Sequence, residues 1–101
     1  MTTQQHLYTG DSAQVLMSLQ RHSAQLMVTS PPYWSIKDYD HPDQIGHQDT
    51  YEDYLRRLME VWHGVDHVLK PGCKAVINVG DQFLRTADHG IYRVAPIHAD
   101  I

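Results

Sequence analysis

The 101-residue chain carries 8 Lys+Arg against 12 Asp+Glu, a formal net charge of −4, with 42% hydrophobic and 20% charged residues. This balance suits one globular domain and excludes a disordered acidic tail, a collagen-like repeat and a coiled coil. The single Cys73 excludes an internal disulfide framework and any multi-thiolate metal site, in keeping with a reducing, cytoplasmic location. No apolar run approaches the ~20 residues of a bilayer span, and the polar start Met1-Thr2-Thr3-Gln4-Gln5 does not read as a secretory leader. A domain that grips DNA unaided shows a basic face; here the cations are scattered, with Arg56-Arg57 the only adjacent pair.

In chain order, His6-Leu7-Tyr8-Thr9 predicts a first strand stopped by Gly10. Asp11 or Ser12 can then cap a helix in which Val15, Leu16 and Leu19 share a face. Gln25-Leu26-Met27-Val28-Thr29 predicts a second strand, apolar enough to be covered on both faces. It ends at Ser30-Pro31-Pro32-Tyr33-Trp34, because neither proline can donate to a ladder and both disfavour helix before them. Residues 35–49 are polar and read as a long loop, a length often given to lids over functional sites. A long helix starts near Thr50, where Thr50-Tyr51-Glu52-Asp53 matches a capping box with Asp as a weaker reciprocal cap than Glu. Tyr51, Leu55, Leu58, Met59, Trp62, Val65 and Leu69 are expected on its buried face, with Leu58, Met59 and Trp62 packed on a sheet. Lys70-Pro71-Gly72 ends it, and residues 73–79 predict a third strand. Residues 82–93 carry no clear signal, and residues 92–101 read as the opening of another helix.

Strands alternating with helices imply a parallel α/β sheet with sites beyond the carboxyl ends of the strands. Gly10-Asp11, Ser30 to Tyr33 and Asn78 to Asp81 are expected to meet there. Thr29-Ser30-Pro31-Pro32-Tyr33-Trp34 resembles the (Ser/Asn/Asp)-Pro-Pro-(Tyr/Phe/Trp) motif of amino-group methyltransferases. The flanks agree: Leu7-Tyr8-Thr9-Gly10-Asp11-Ser12 is similar to the segment before that motif in circularly permuted DNA methyltransferases. Leu69-Lys70-Pro71-Gly72 through Asn78-Val79-Gly80-Asp81 is similar to the helix-to-strand step after it. The resemblance covers essentially the whole chain and implies a partial Rossmann-like fold using S-adenosylmethionine, with three strands alternating with helices.

The implied chemistry suits these residue types. An exocyclic amino nitrogen of a nucleobase has its lone pair conjugated into the ring and is a poor nucleophile. A side-chain acceptor at Ser30 and the Pro31 carbonyl can localise that lone pair by hydrogen bonding the amino hydrogens, while Pro31-Pro32 fixes the backbone. Tyr33 would stack on a base flipped from the duplex, with Trp34 shaping the pocket. Asp11 matches the acidic position that contacts the adenine moiety of the cofactor. Each has a plainer alternative: Asp11 as helix cap, the Pro-Pro-aromatic run as a polyproline ligand, and Asp81 as a partner of loop amides rather than part of the cleft. His63 and His67, four apart on a helix, have zinc-sharing spacing but no metalloprotease glutamate between them and no evident third ligand, so no metal is expected.

The family's Phe-x-Gly-x-Gly cofactor loop is not in this sequence, and only 29 residues precede Ser30, which implies the permuted order. The expectation is that residues 1–101 form the N-terminal catalytic half of a methyltransferase domain, with the target-recognition region and glycine-loop half elsewhere. Such a piece would have a gap in its sheet, low stability or a tendency to associate, and little activity alone. The complete enzyme would methylate the exocyclic amino group of cytosine in DNA, because Ser at position 30 is usual in cytosine enzymes and Asp or Asn in adenine enzymes. Some adenine enzymes also carry Ser. The other readings are an adenine enzyme, methylation of RNA or protein, or a non-catalytic remnant or split-enzyme half acting through a partner chain.

Overall fold

The computed structural model describes residues 2–35, 38–84 and 93–101. Helix α1 (Ser12–Ser18) is capped by Asp11, and strand β1 (Ala24–Thr29) follows. The long helix α2 (Tyr51–Val68) runs directly into strand β2 (Leu69–Ile77). Short strands β3 (Gln82–Leu84) and β4 (Arg93–Ala95) precede a single helical turn, α3 (Ile97–Asp100).

The centre of the fold is the β1–α2–β2 unit. The strands pair in parallel, with Leu26 opposite Lys74, Met27 opposite Ala75, Val28 opposite Val76 and Thr29 opposite Ile77. The ladder also joins Ala24 to Leu69, so an irregularity between the two stretches absorbs the extra residues that include Pro71 and Gly72. Proline, which has no N–H to give, sits where the pairing is interrupted. The third strand thus begins four residues before its predicted start and ends two residues before its predicted end. β3 and β4 form a separate antiparallel pair with Phe83 opposite Val94.

Helix α2 begins as its sequence dictates. The Thr50 hydroxyl accepts the Asp53 amide at 3.2 Å, and Glu52 and Asp53 lie in the first turn, where carboxylates suit the positive end of the helix. Asp53 does not return the cap; its carboxylate pairs with Arg56 at 2.9 Å. The buried stripe is Tyr54, Leu58, Gly64, Val65 and Val68. This corrects the expected face. At about 100° per residue, positions 54, 58, 65 and 68 stay within a narrow sector, whereas Met59 is turned well away from it and is 48% exposed. Trp62 is only half-buried.

α1 packs across α2 at Gly64. A Cβ at that position would lie 2.8 Å from the Leu16 Cβ, so only glycine permits this approach. The C-terminal ends of the two helices are tied as well, with His67 Nε2 2.9 Å from the Leu19 carbonyl and the His22 amide donating to the His67 carbonyl at 2.9 Å.

The core cluster gathers Trp34, Tyr54, Leu58, Ala95 and Ile97, so the β3–β4 pair and α3 close over the loop that follows β1. The helix expected over 92–101 is instead β4 followed by one helical turn; Tyr92 lies outside the described residues. The predicted first strand is also absent. Residues 6–9 form no strand, and Leu7 is 97% exposed. The described sheets offer them no neighbour, and extended backbone becomes a strand only when a partner takes its N–H and C=O groups. On the sheet itself, Leu26, Val28 and Val76 share one face and stand open to solvent. The accessible surface is 7673 Å², against about 5,800 Å² for a compact monomer of this mass. Among the described residues no helix is long and apolar enough to cross a membrane.

Candidate active site

The loop leaving β1 is held from every side. Pro31 and Trp34 are buried, Pro32 and Tyr33 half-buried, and Ser30 is exposed at the strand end. Tyr54, fully buried on α2, donates its phenol proton to the Pro32 carbonyl at 2.8 Å. The carbonyl engaged is one residue beyond that of Pro31, the acceptor expected from the sequence. Burial pushes the Tyr54 phenol up to about 12, which keeps it a donor across the neutral range.

The Tyr33 amide donates to the Tyr39 hydroxyl at 3.3 Å, and the Trp34 indole N–H to the Asp49 carbonyl at 2.9 Å. Trp34 also meets the Tyr51 ring at 4.9 Å between centroids. Beyond them, the Ser35 amide donates to Gln82 Oε1 at 3.1 Å while Gln82 Nε2 donates to the Ser35 hydroxyl at 2.6 Å.

Residues 38–49 wrap the motif as the long loop the sequence predicts. Gly46 (φ +115°) lies so close that a Cβ there would stand 2.5 Å from the Trp34 carbonyl oxygen and 3.0 Å from that of Tyr33. Arg57 on α2 pins this loop. It donates to the Asp49 carboxylate at 2.7 Å, the Gln44 carbonyl at 3.0 Å and the Asp43 carbonyl at 2.7 Å. The Asp49 carboxylate also accepts the Gly46 amide at 2.8 Å.

Two adjoining cavities open beside the motif. One of about 400 Å³ is lined by Gly10, Ser12, Thr29, Ser30, Pro31 and Pro32 together with apolar side chains of α1 and α2. The other, about 770 Å³, brings Asp11 and Ala13 opposite Pro32 and Tyr39. The segment around Asp11 and the end of β1 therefore line adjoining cavities, although residues 6–9 form no strand to carry Asp11 there. Asp11 also serves as a helix cap, its Oδ1 accepting the Ala13 amide at 3.0 Å. A carboxylate has two oxygens and about four acceptor positions, so capping does not exhaust it.

The third segment behaves differently. The Asn78 amide extends the ladder by donating to the Thr29 carbonyl at 2.9 Å, but Asp81 turns to α3. Its carboxylate accepts the His98 amide at 3.0 Å and lies 2.7 Å from His98 Nδ1. The His98 hydrogen bonds, backbone first, hold the Asp81 carboxyl below its ordinary value. Of its two sequence readings, Asp81 takes that of a partner for a backbone amide. His63 is exposed and His67 holds α1; among the described residues no group of three His, Cys, Asp or Glu is placed to hold a metal ion.

Sequence reasoning missed Tyr54, Arg57 and Gln82. Tyr54 sits three residues after Tyr51 and continues the helical stripe, so the periodicity held a signal for it. Gln82 had none, because its role is set by contact with a residue 47 positions away.

Residues 24–98 match the DNA methylase family of N6 and N4 methyltransferases. The type II methyltransferase M.SfiI of Streptomyces fimbriatus is 42% identical over 77 residues, covering 76% of this chain and 18% of that protein. M.SmaI of Serratia marcescens is 32% identical over the same length, covering 26% of that protein. Among solved structures, a protein of Thermus thermophilus provisionally assigned as a DNA modification methylase, crystallised with S-adenosyl-L-methionine, superposes with a TM-score of 0.72 at 41% identity. That match covers 91% of this chain and 34% of the other. The chain thus spans between about a tenth and a third of the relatives it matches. With three quarters of its length matched and the Ser-Pro-Pro-Tyr loop set at the carboxyl end of a parallel strand, the chain belongs to the DNA methylase family.

Proposed function

We propose that this chain supplies the catalytic loop of a DNA methyltransferase that moves a methyl group from S-adenosylmethionine to the exocyclic 4-amino group of cytosine. The carrying observation is the placement of Ser30, exposed at the end of β1 beside a cavity that Gly10 and Ser12 also line. Ser30 and the Pro31 carbonyl accept the two amino hydrogens, and Tyr33 stacks on the flipped base. The nitrogen lone pair forms the new N–C bond, the S–C bond of the sulfonium breaks with its electrons retained on sulfur, and the surplus amino proton passes to solvent. The cofactor supplies the electrophilic methyl group. Asp11, exposed and lining the cavity opposite Pro32, has acceptor capacity left for its adenine amino group. The glycine-loop half of the cofactor site and the target-recognition region belong to the further length that the relatives possess, or to a partner chain, and contact with DNA runs through them. Such an enzyme works in the cytoplasm and needs no metal.

Cytosine is favoured over adenine because a serine hydroxyl stands where adenine enzymes usually carry Asp or Asn. Mass spectrometry of nucleosides from DNA treated with the complete enzyme is expected to show 4-methylcytosine, and none with Ser30→Ala. 6-Methyladenine would reassign the base. Transfer to RNA or protein but not to DNA would overturn the reading.

The large accessible surface and the open Leu26, Val28 and Val76 face favour a second reading for the isolated polypeptide, that of a split-enzyme half or a non-catalytic remnant completed by another chain. It predicts methyl transfer only on addition of a second chain, or never.

A further inference from the structure

We infer that Tyr54 and Gln82 are positioning residues that clasp the methyl-transfer loop on either side of Tyr33-Trp34; this inference rests on the function proposed above. Tyr54 holds the Pro32 carbonyl at 2.8 Å, and Gln82 holds Ser35 at both its amide (3.1 Å) and its hydroxyl (2.6 Å). The two side chains are 0% and 6% exposed, so water is not at hand to replace the bonds they make.

The prolines explain why two anchors are needed. Pro31 and Pro32 restrict the backbone only up to the residue before Tyr33 and leave the far side of the aromatic pair free to pivot. Gln82 supplies the restraint there. Its side-chain amide is used as acceptor and donor against one residue, a pairing that fixes orientation as well as distance. The anchors come from different elements, α2 and β3: Tyr54 belongs to the cluster around Trp34, and Gln82 pairs across the β3–β4 ladder with Ala95, another member of it. A shift of either element would therefore be felt at Tyr33, and misplacement by ~1 Å at a reacting centre can cost ~100-fold in rate.

The test uses the complete enzyme with Tyr54→Phe, which removes one oxygen and keeps the ring, and Gln82→Met, which keeps length and removes both amide bonds. Single-turnover methyl transfer to DNA, KM for S-adenosylmethionine and Tm are measured together with hydrogen exchange at the Ser35 amide. Each variant is expected to lose about tenfold or more in kcat with KM changed less than twofold, and Ser35 exchange to accelerate in Gln82→Met. A residue of purely structural importance would lower Tm and leave kcat per folded enzyme within twofold, which would overturn the clasp. Unchanged exchange at Ser35 would overturn it too. An inactive wild type would remove the proposed function and the inference with it, whereas an active wild type with equally active variants would remove the clasp alone.

Discussion

Around Trp34 the chain buries Tyr54, Leu58, Ala95 and Ile97, whereas the β1–β2 sheet leaves Leu26, Val28 and Val76 open on one face and residues 6–9 outside any ladder. The first region closes with material from within the chain. Helix α2, the loop over 38–49 and strand β3 reach residues 32–35, where the Pro32 carbonyl, the Trp34 indole and the Ser35 amide find partners. The second has a single ladder of parallel pairs and one covered face. The apolar run over 25–29 predicts a strand buried on both faces. The sequence is written for that environment, but only Met27 and Thr29 find cover. The contrast shows that the Ser-Pro-Pro-Tyr loop is packed locally even though the two-stranded sheet it leaves has an open face.

The largest effect should come from breaking the closed region. Leu58, 1% exposed, loses its packing in Leu58→Ala, and a cost of about 2–5 kcal/mol is expected in urea unfolding. Gly64→Ala probes the joint between the two regions. Its new methyl group would meet Leu16 at 2.8 Å and force α1 away from α2, at about 1–3 kcal/mol, with His67 losing its 2.9 Å contact with Leu19. Imidazole NMR shifts at His67 would report that separation.

A smaller, pH-dependent effect is expected at α3. Asp81 is held below its ordinary 3.8 by His98, so its contribution is complete above that value and is lost as pH falls through the lower folded value. Docking of α3 should therefore weaken in acid strong enough to protonate the Asp81 carboxyl, while Asp81→Asn should abolish this acid transition. The His98 amide shift, followed against pH, checks both. The smallest effect belongs to the open sheet face. Val28→Lys, at a position 68% exposed, should change the stability of the 101-residue chain by no more than about 0.5 kcal/mol. A larger loss would mean that this face is covered in solution.

Much of this arrangement was legible in the residues. Thr50 announced the start of α2, the two prolines the end of β1, and Gly10-Asp11 the step into α1, because caps and breakers act over two or three positions. The strand–helix–strand unit followed from the apolar run over 25–29, the helical spacing after Thr50 and the breakers between them. What escaped depends on distant contacts. Met59 is apolar and near the stripe, so its sequence predicts burial, yet a helix offers one face to its neighbours and Met59 falls off it. The strand over 6–9 has the right residues but no partner. Gln82 and Arg57 read as ordinary polar residues until the fold carries Ser35 and Asp49 to them. At the site, Ser30 and Asp11 could be placed on one edge from topology, while the Tyr54 bond to Pro32 could not.

Residue-by-residue hydrogen exchange of the 101-residue chain tests the contrast between the two regions most directly. Slow exchange is expected at Leu58 and Val65 in α2 and at Ser35, whose amide donates to Gln82, with residues 2–9 exchanging at the rate of unstructured chain. Uniform protection across both regions, or protected residues 2–9 beside a rapidly exchanging Ser35, would contradict it.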